Sequence, residues 1–579
     1  MQMKFGSDLI IDIIKQYQVD YVAFNPGASF RGLHDSLVNY ANNQPALIMC
    51  CHEEIAVAIA HGYAKASNKI MAVFIHANIG LQHASMAIFN AWCDRVPILL
   101  IGGIGPMDAN LRRPWIEWIH TSNHHDVIIR DYVKWCDQPY SLKAAEESLH
   151  RAFQLLQTEP AAPVYLAIDC DIQEAVIHSD TIQYDKKRMT TATVPHPDPD
   201  ILQQIARELL NAKNPIIIAD YYGKSSQAVD ALLAFATRFS IPVIDRGGRF
   251  NFPTNHPLNL TGVEPDYYRK IDYILCLDVQ DLWGALGALT STGYHSYVNH
   301  ETPIIHVSLS NYLVSKWVAD YQKLYHVALT IQADSVSTLS GLKKICDSFV
   351  TNHHQIQFDN RLTDTLCIHQ QLRNNWINLA KSKKNDRPLS SATTIYEIGQ
   401  AIKDEQWVLT NGGSLETDQW AKRLWDFERA GSHIGHSGGA GLGYGLSASI
   451  GAALAHKNTG YICINLQADG DLLFTPSALW TAAHYDIPLL IIVMNNRSYN
   501  NSKEHALKVA QFRERNVMNA GIGTDFTGLA TNFKKLAQSF GLEAFDLIET
   551  ADDIVPTIKK AIHYIKNNHK PCLVDILIQ

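Results

Sequence analysis

Along the chain, short unbroken apolar runs alternate with longer stretches in which apolar residues return at helical spacing. Apolar runs of strand length without a polar alternation are what a strand buried on both faces requires, so the pattern predicts parallel sheets covered by helices on both sides. Three such blocks separate. The first runs from the start to about residue 175, with strands expected over 21–24, 46–50, 69–75, 96–101 and 164–168. A polar, proline-bearing stretch over 180–199 reads as a linker to the second block, whose strands are expected over 215–219, 242–244, 273–277 and 303–307. A second polar stretch, rich in Asn, His and Lys over 351–387, leads to the third block, with strands expected over 406–410, 460–466, 489–494 and 571–576. No short internal repeat is present, although the blocks share one architecture. The fold class expected is α/β, with three doubly wound parallel-sheet domains.

Length and composition narrow the function classes. At 579 residues the chain exceeds the ~100–150 residues of a typical domain several times over, so two to four domains are expected. Hydrophobic residues make up 46% and charged residues 18%, a globular balance. The formal charge is −8 and no Lys/Arg block stands out, so nucleic acid is not an expected partner. The longest apolar runs, such as 96–102 and 488–494, are far too short to span a bilayer, and no membrane partner is expected. Residues 1–18 read as an amphipathic helix with Asp and Lys inside it, not as a secretion signal. Ten scattered cysteines without a CxxC pair fit a reducing cytoplasm better than a disulfide framework or zinc ribbon.

Some tempting motifs fail on spacing. Gly223-Lys224-Ser225 follows a strand, but a phosphate loop needs glycine where Ile218 stands. The glycines of 438–445 and of 102–105 lack the GxGxxG spacing of a dinucleotide turn. His120 and His124 are four apart, yet the Glu of HExxH chemistry is missing; with 26 histidines such pairs arise by chance, and surface or pocket-lining histidines are the simpler account.

The third block carries the stronger signal. A strand runs into Ala468-Asp469-Gly470-Asp471, and the next strand ends in Asn495-Asn496; from 469 to 496 is 27 residues. Both sit at C-terminal ends of parallel strands, where open α/β sheets bind ligands, so a carboxylate and an amide oxygen converge on one small cation. Mg²⁺ takes an octahedron of oxygens near ~2.1 Å, held by one or two protein ligands with phosphate and water. The alternative is that Asp469-Gly470 is a tight turn and Asn495-Asn496 a strand-end cap.

Together these residues resemble the diphosphate-binding motif of thiamine-diphosphate-dependent enzymes, a GDG triplet followed at about this interval by NN; here Ala468 replaces the first glycine. The resemblance covers essentially the whole chain. It implies Mg²⁺ bound by the side chains of Asp469 and Asn496 and by the carbonyl of Ser498, with Gly470 and Asp471 also at the cofactor. Asn411-Gly412-Gly413-Ser414 resembles the loop that receives the diphosphate, through Gly413 and Ser414, and Leu442 stands where a bulky apolar side chain props the cofactor's rings into a V. In the first block the family pattern places a catalytic Glu nine residues before the glycine of Gly62-Tyr63-Ala64, which is Glu53. Its neighbour Glu54 is then a surface or helix-start charge, as Glu in a first helical turn commonly is. Such a Glu holds the pyrimidine ring in the tautomer that deprotonates the thiazolium carbon, so the cofactor carries the chemistry and the protein supplies orientation and electrostatics.

The segment Ile75-His76-Ala77-Asn78-Ile79-Gly80 looks most like benzoylformate decarboxylase, which implies a proton-shuttling His76. The other account of His76 is a hydrogen bond to the loop backbone. His52, Asn78, His83 and the stretch Trp115-Ile116-Glu117-Trp118 border the same expected pocket without assigned roles. The resemblance implies a pyrimidine-binding domain over 1–179 carrying the catalytic Glu, a central domain over 192–350, and a diphosphate- and Mg²⁺-binding domain over 385–579. It implies a homodimer or homotetramer with sites between subunits, and a decarboxylase or carboligase acting on a 2-oxo acid, like acetolactate synthase or benzoylformate decarboxylase. Three alternatives stay open: an FAD-containing relative of pyruvate oxidase, a C–C hydrolase or lyase acting on a diketone, and a non-catalytic protein of the same fold.

Overall fold

The computed structural model describes residues 3–114, 116–177, 189–290, 293–313, 324–526 and 528–579. Three parallel sheets form its frame, each flanked by helices. In the first, the strands lie side by side in the order Ala46–Met49, Tyr21–Phe24, Met71–His76, Ile98–Ile104, Val164–Asp169 and Trp135–Asp137. In the second the order is Val243–Asp245, Pro215–Ala219, Tyr273–Leu277, Ile304–Val307 and Leu329–Ile331. In the third it is Trp407–Asn411, Ile462–Ala468, Leu490–Asn495, Cys572–Leu577 and Glu543–Ala544. The chain therefore has the α/β architecture that its apolar runs predict.

Every expected strand is present, with ends shifted by a few residues. The strands that the pattern did not reveal are the short edges Trp135–Asp137, Leu329–Ile331 and Glu543–Ala544 and two small antiparallel pairs, Lys4–Phe5 with Val176–Ile177 and Gly287–Thr290 with Gly293–Ser296. Edge strands are short and half solvated, so they carry no long apolar run. The polar stretch over 351–387, which leads to the third block, contains a helix that the pattern did not announce, Asn352–Ser382, capped by Thr351 through the His354 N–H. Its buried residues are only Phe358, Thr365, His369 and Ala380, too sparse to give an amphipathic signal. Phe358 packs into the core of the second sheet, and Ala380 accepts a hydrogen bond from Thr393 of the third block, so the helix bridges the two. Of the expected linker over 180–199, residues 180–188 lie outside the described residues, and helix Pro199–Asn211 begins behind an Asp198 cap.

The first and third sheets are joined by the crossing of helix Glu53–Ser67 with helix Tyr444–His456. Glycines make that crossing close. A Cβ on Gly62 would lie 1.8 Å from the Ala448 carbonyl oxygen, and one on Gly451 would lie 1.9 Å from that of Ile59. Around it, Ile55, Ile59 and Tyr63 share one apolar cluster with Leu446, Ile450, Leu489 and Val493. The two regions singled out in the sequence are thus built on one continuous core.

Candidate active site

After strand Ala46–Met49 the chain turns through Cys51 and His52 into helix Glu53–Ser67. His52 is extended and caps the helix, its Nδ1 accepting the Glu54 N–H at 3.2 Å. Glu53 is 3% exposed, and both of its oxygens are engaged: Asn25 Nδ2 donates to Oε1 at 3.1 Å, and His83 Nδ1 lies 3.2 Å from Oε2. The His83 ring stacks on that of His52, with centroids 4.8 Å apart. Gly80 gives the carboxylate room, since a Cβ there would lie 2.7 Å from Glu53 Oε1.

His76 ends strand Met71–His76 and precedes helix Ala77–Cys93, where Ala77 holds a left-handed φ of 48°. A positive φ outside glycine costs energy and marks a constrained junction. Ser29 braces it, with Oγ 2.9 Å from His76 Nδ1 and accepting the Ala77 N–H at 3.1 Å. The His120 ring stands edge-on to that of His76 at 5.3 Å. Burial pulls the His76 imidazole below its ordinary value, as does neighbouring His120, while Glu53 opposes them. Glu53 and His76 are therefore close enough for the carboxylate to bear on the imidazole. Asn78 is tied by Nδ2 to the Ile119 carbonyl at 3.1 Å. Of the Trp115–Trp118 stretch, Trp115 lies outside the described residues, Trp118 is exposed, and Glu117 turns inward, clamped by the N–H and Nε of Arg113 at 2.6 Å each. His120 and His124 share no helical face, because helix Glu117–His120 stops at the first of them. Asn25, Ser29 and His120 carry no role in the sequence reading; the polar run Asn25-Pro26-Gly27-Ala28-Ser29 at the C-terminal end of a strand was the available signal for the first two.

In the third sheet, strand Ile462–Ala468 runs into Asp469, which is 2% exposed. Its Oδ1 accepts the Gly470 N–H at 2.8 Å, and its Oδ2 accepts the Arg497 N–H, from the end of the neighbouring strand, at 2.7 Å. Burial pushes this carboxyl up to about 6, and the backbone N–H groups offset that only in part. A buried carboxylate supported by N–H groups alone, beside an amide oxygen at Asn496, fits a small hard cation. Asn496 Oδ1 accepts the Ser498 N–H at 3.0 Å, across Arg497 at φ 53°, so the three expected Mg²⁺ ligands sit on one tight turn and the strand end next to it. Gly470 is required by Tyr499, whose ring would lie 2.5 Å from a Cβ. Ala468 has φ −68°, so the glycine missing from the triplet is not needed by the backbone.

Gly413 has φ 76°, and Ser414 caps helix Leu415–Leu424 by accepting the Thr417 N–H at 3.2 Å, which leaves a helix N-terminus facing the same strand ends. Leu442 is 41% exposed and is pinned from both sides. Asn90 of the first block accepts the Gly441 N–H at 3.1 Å, and Asp471 accepts the Gly443 N–H at 2.7 Å. The Asp471 carboxylate also takes Gln467 Nε2 at 2.6 Å and the Gly445 N–H at 3.2 Å, so its oxygens are spent on holding the glycine-rich segment. Glu54 lies in the first turn of the helix, one of its two expected accounts, but it is half-buried and not a surface charge: it faces the third block of its own chain, where a Cβ on Gly443 would lie 2.9 Å from its Oε1. Burial, with the nearby Asp471 charge, pushes it up to about 7.

Comparison with known proteins agrees with this geometry. Residues 4–123 match the family model described as the thiamine pyrophosphate enzyme N-terminal TPP binding domain, residues 202–342 the central domain, and residues 413–576 the C-terminal TPP binding domain. The acetolactate synthase large subunit of Lactococcus lactis is 23% identical over 99% of this chain and 92% of its own length. A probable acetolactate synthase large subunit of Methanococcus aeolicus is 24% identical over the same shares. Among solved structures, the benzoylformate decarboxylase of Polynucleobacter necessarius superposes with a TM-score of 0.77 at 18% identity, covering 100% of this chain and 99% of that one. The 4-hydroxybenzoylformate decarboxylase of Rhodococcus jostii does so with a TM-score of 0.75 at 18% identity, over the same shares.

Proposed function

This chain belongs to the thiamine pyrophosphate-dependent enzymes, and we propose that within the family it is a 2-oxo-acid decarboxylase or carboligase that uses thiamine diphosphate with Mg²⁺. The observation that carries the reading is the Glu53 carboxylate, buried at the start of helix Glu53–Ser67, held at both oxygens and close to His76. Bound thiamine diphosphate supplies a nucleophilic carbon that is also an electron sink. Glu53 would hold a proton at the pyrimidine nitrogen and so favour the tautomer the chemistry needs. Asn25 fixes the direction of its carboxylate. His76, braced by Ser29, would give a proton to the former keto carbon after its carboxylate has left as CO₂. Asp469, Asn496 and the Ser498 carbonyl would hold Mg²⁺, Gly413 and Ser414 would present hydrogen-bond donors to the diphosphate, and Gly470, whose N–H is taken by Asp469, would border it. Leu442 would contact the cofactor, and Asp471 positions this side chain through Gly443.

The assembly we propose is a homodimer, or a dimer of dimers, with each site shared between two copies. Glu54 faces Asp471 of its own chain, and successive residues of a helix point ~100° apart, so Glu53 points away from the third block to which it is covalently joined. The ten cysteines are all free, as a reducing cytoplasm would keep them, and no helix among the described residues is long and apolar enough to cross a membrane. The test is a panel of 2-oxo acids and diketones incubated with the protein, thiamine diphosphate and Mg²⁺, read by released CO₂ and by product analysis. CO₂ from at least one oxo acid is expected. Cleavage of a diketone with no CO₂ from any oxo acid would replace this reading by a hydrolase.

A further inference from the structure

The two side chains that hold the Glu53 carboxylate differ in what they can do with a proton. Asn25 reaches Oε1 through Nδ2, which only donates, and that side is closed by Gly80, where a Cβ would lie 2.7 Å from the same oxygen. His83 meets Oε2 through Nδ1 at 3.2 Å, and an imidazole nitrogen either donates or accepts. Glu53 is buried, whereas the His83 side chain is 51% exposed, and among the described residues its Nε2 has no hydrogen-bond partner. His52 stacks on the His83 ring at 4.8 Å between centroids but takes no part in this contact. Its Nδ1 accepts the Glu54 N–H, which places its own proton on Nε2 and fixes its tautomer. Among the described residues, His83 is thus the group on Glu53 that has a free tautomer and also reaches water.

We propose that His83 is a positioning residue that acts through Glu53, relaying the proton of the buried carboxyl to and from water. When Glu53 is protonated, a neutral His83 with its proton on Nε2 accepts the carboxyl proton at Nδ1 and releases the Nε2 proton to water. The carboxylate is left ionised and accepts a hydrogen bond from the Nδ1–H. In reverse, water protonates Nε2 and Nδ1 returns its proton to Oε2. One proton crosses each way, and no charge stays on the ring. Only the tautomer changes, so the ring keeps its place against His52. The other titratable and charged groups around the pair are His52 itself, His76, on which Glu53 bears, and beyond it His120 and Arg113. One step rests on the function proposed above: the proton that His83 delivers is the one Glu53 would hold at the pyrimidine nitrogen.

The experiment uses the full-length protein and two variants, each checked for folding by circular dichroism. His83→Asn keeps a donor facing Oε2 but cannot pass a proton on, and His83→Ala removes both abilities. In protein loaded with thiamine diphosphate and Mg²⁺, exchange of the thiazolium-carbon proton for deuterium is followed by NMR after acid quenching. It should slow by roughly tenfold or more in both variants, with cofactor affinity unchanged, and by less than the ~10²–10⁴ of a lost proton-transfer group. Imidazole added to His83→Ala should restore the exchange. A wild-type rate in His83→Asn means that His83 only orients the carboxylate, and overturns the relay, as does a His83→Ala rate that imidazole leaves unchanged. A second measurement needs no cofactor. Nitrogen-15 histidine spectra of the stripped chain should contain a ring, absent from His83→Asn, whose shifts move in Glu53→Gln; shifts that stay put overturn the contact. A chain that shows this contact but neither binds thiamine diphosphate nor releases CO₂ from any oxo acid supports the proton-sharing pair and overturns the proposed function instead.

Discussion

Lys65 Nζ lies 2.9 Å from Asp94 Oδ2, and neither side chain reaches solvent. The pair is the centre at which all three sheets meet. His61 Nε2 lies 2.8 Å from the same Oδ2, while Oδ1 accepts Tyr221 OH at 3.2 Å and the Gly438 N–H at 2.8 Å. Arg249 donates to the Asp94 carbonyl at 2.8 Å, and Lys65 also donates to the His436 carbonyl at 2.9 Å. Burial alone would raise the Asp94 carboxyl, but Lys65, His61 and Arg249 outweigh it and hold the group well below the usual carboxylate range. Asp94→Asn should therefore destabilise the protein by ~3–5 kcal/mol, because it leaves the Lys65 ammonium buried without its counter-charge. Denaturant unfolding checks this, and Asp94→Asn combined with Lys65→Met should lose less than the two single losses together.

His61 gives the same centre a pH dependence. Burial pulls its imidazole down to about 4, with Asp94 opposing, from an ordinary 6.5. The folded state thus binds this proton less readily than the unfolded state, and the contribution of His61 to stability is complete above pH 6.5 and lost as pH falls from there towards 4. The gap corresponds to roughly 3 kcal/mol. Unfolding measured at steps between pH 7 and 4 should show a steeper loss for the wild type than for His61→Gln, and equal slopes would sink the assignment.

The crossing of helices Glu53–Ser67 and Tyr444–His456 is limited by backbone contact at Gly62. A Gly62→Ala methyl would meet the Ala448 carbonyl, which cannot rotate away, and so must push the helices apart. Overpacking of this kind costs typically ~1–3 kcal/mol, and here it also separates Glu54 from Asp471. A lower thermal midpoint together with weakened thiamine diphosphate binding is expected; a wild-type midpoint would mean that the crossing is looser than the structure has it.

How much of this was legible in the sequence follows from what each element buries. The core strands announced themselves because parallel strands covered on both faces are continuous apolar runs, as in Pro215–Ala219 and Tyr273–Leu277, whose ends were read to the residue. Helix Asn352–Ser382 did not, because it buries a handful of side chains and lies mostly in solvent. At the candidate site, Asp469 and Asn496 could be paired by motif and strand position. The partners of Glu53 could not, since Asn25 and His83 lie on two other elements that only the folded sheet brings to it. The Asp94 centre was equally hidden, its members scattered from His61 to Gly438 without any common spacing.

Glu53 and Glu54 are adjacent yet differently housed, which separates their expected phenotypes. Glu53→Gln keeps the shape of the side chain but removes the carboxyl proton that the proposed function places at the pyrimidine, and should lower turnover by ~10²–10⁴ with the fold intact. Glu54→Gln removes a group already pushed up to about 7 beside Asp471, and should leave turnover far less affected. Steady-state kinetics on the two variants decide between them. Near-normal turnover in Glu53→Gln with loss in Glu54→Gln would shift the catalytic register by one residue.

The proposed sharing of the site makes the most exacting prediction, because it concerns which copy of the chain each half belongs to. Asp469→Ala should abolish cation-dependent cofactor retention, read by calorimetry, for want of the carboxylate that faces the expected Mg²⁺. Glu53→Gln should abolish turnover while retaining the cofactor, so each variant alone is inactive for a different reason. Suppose the Glu53 of one copy meets the Asp469 of the other across a two-fold axis. A mixed dimer of the two variants then has one site with both lesions and one site with neither. With equal amounts and random pairing, about half the dimers are mixed and half of their sites are intact, so roughly one quarter of wild-type activity should return on co-expression. If each site were formed within one chain, every site in every dimer would carry a lesion and none would recover. Mixed dimers isolated through two different affinity tags and found as inactive as either parent would overturn the shared site, and with it the inference drawn from the way Glu54 faces Asp471 of its own chain.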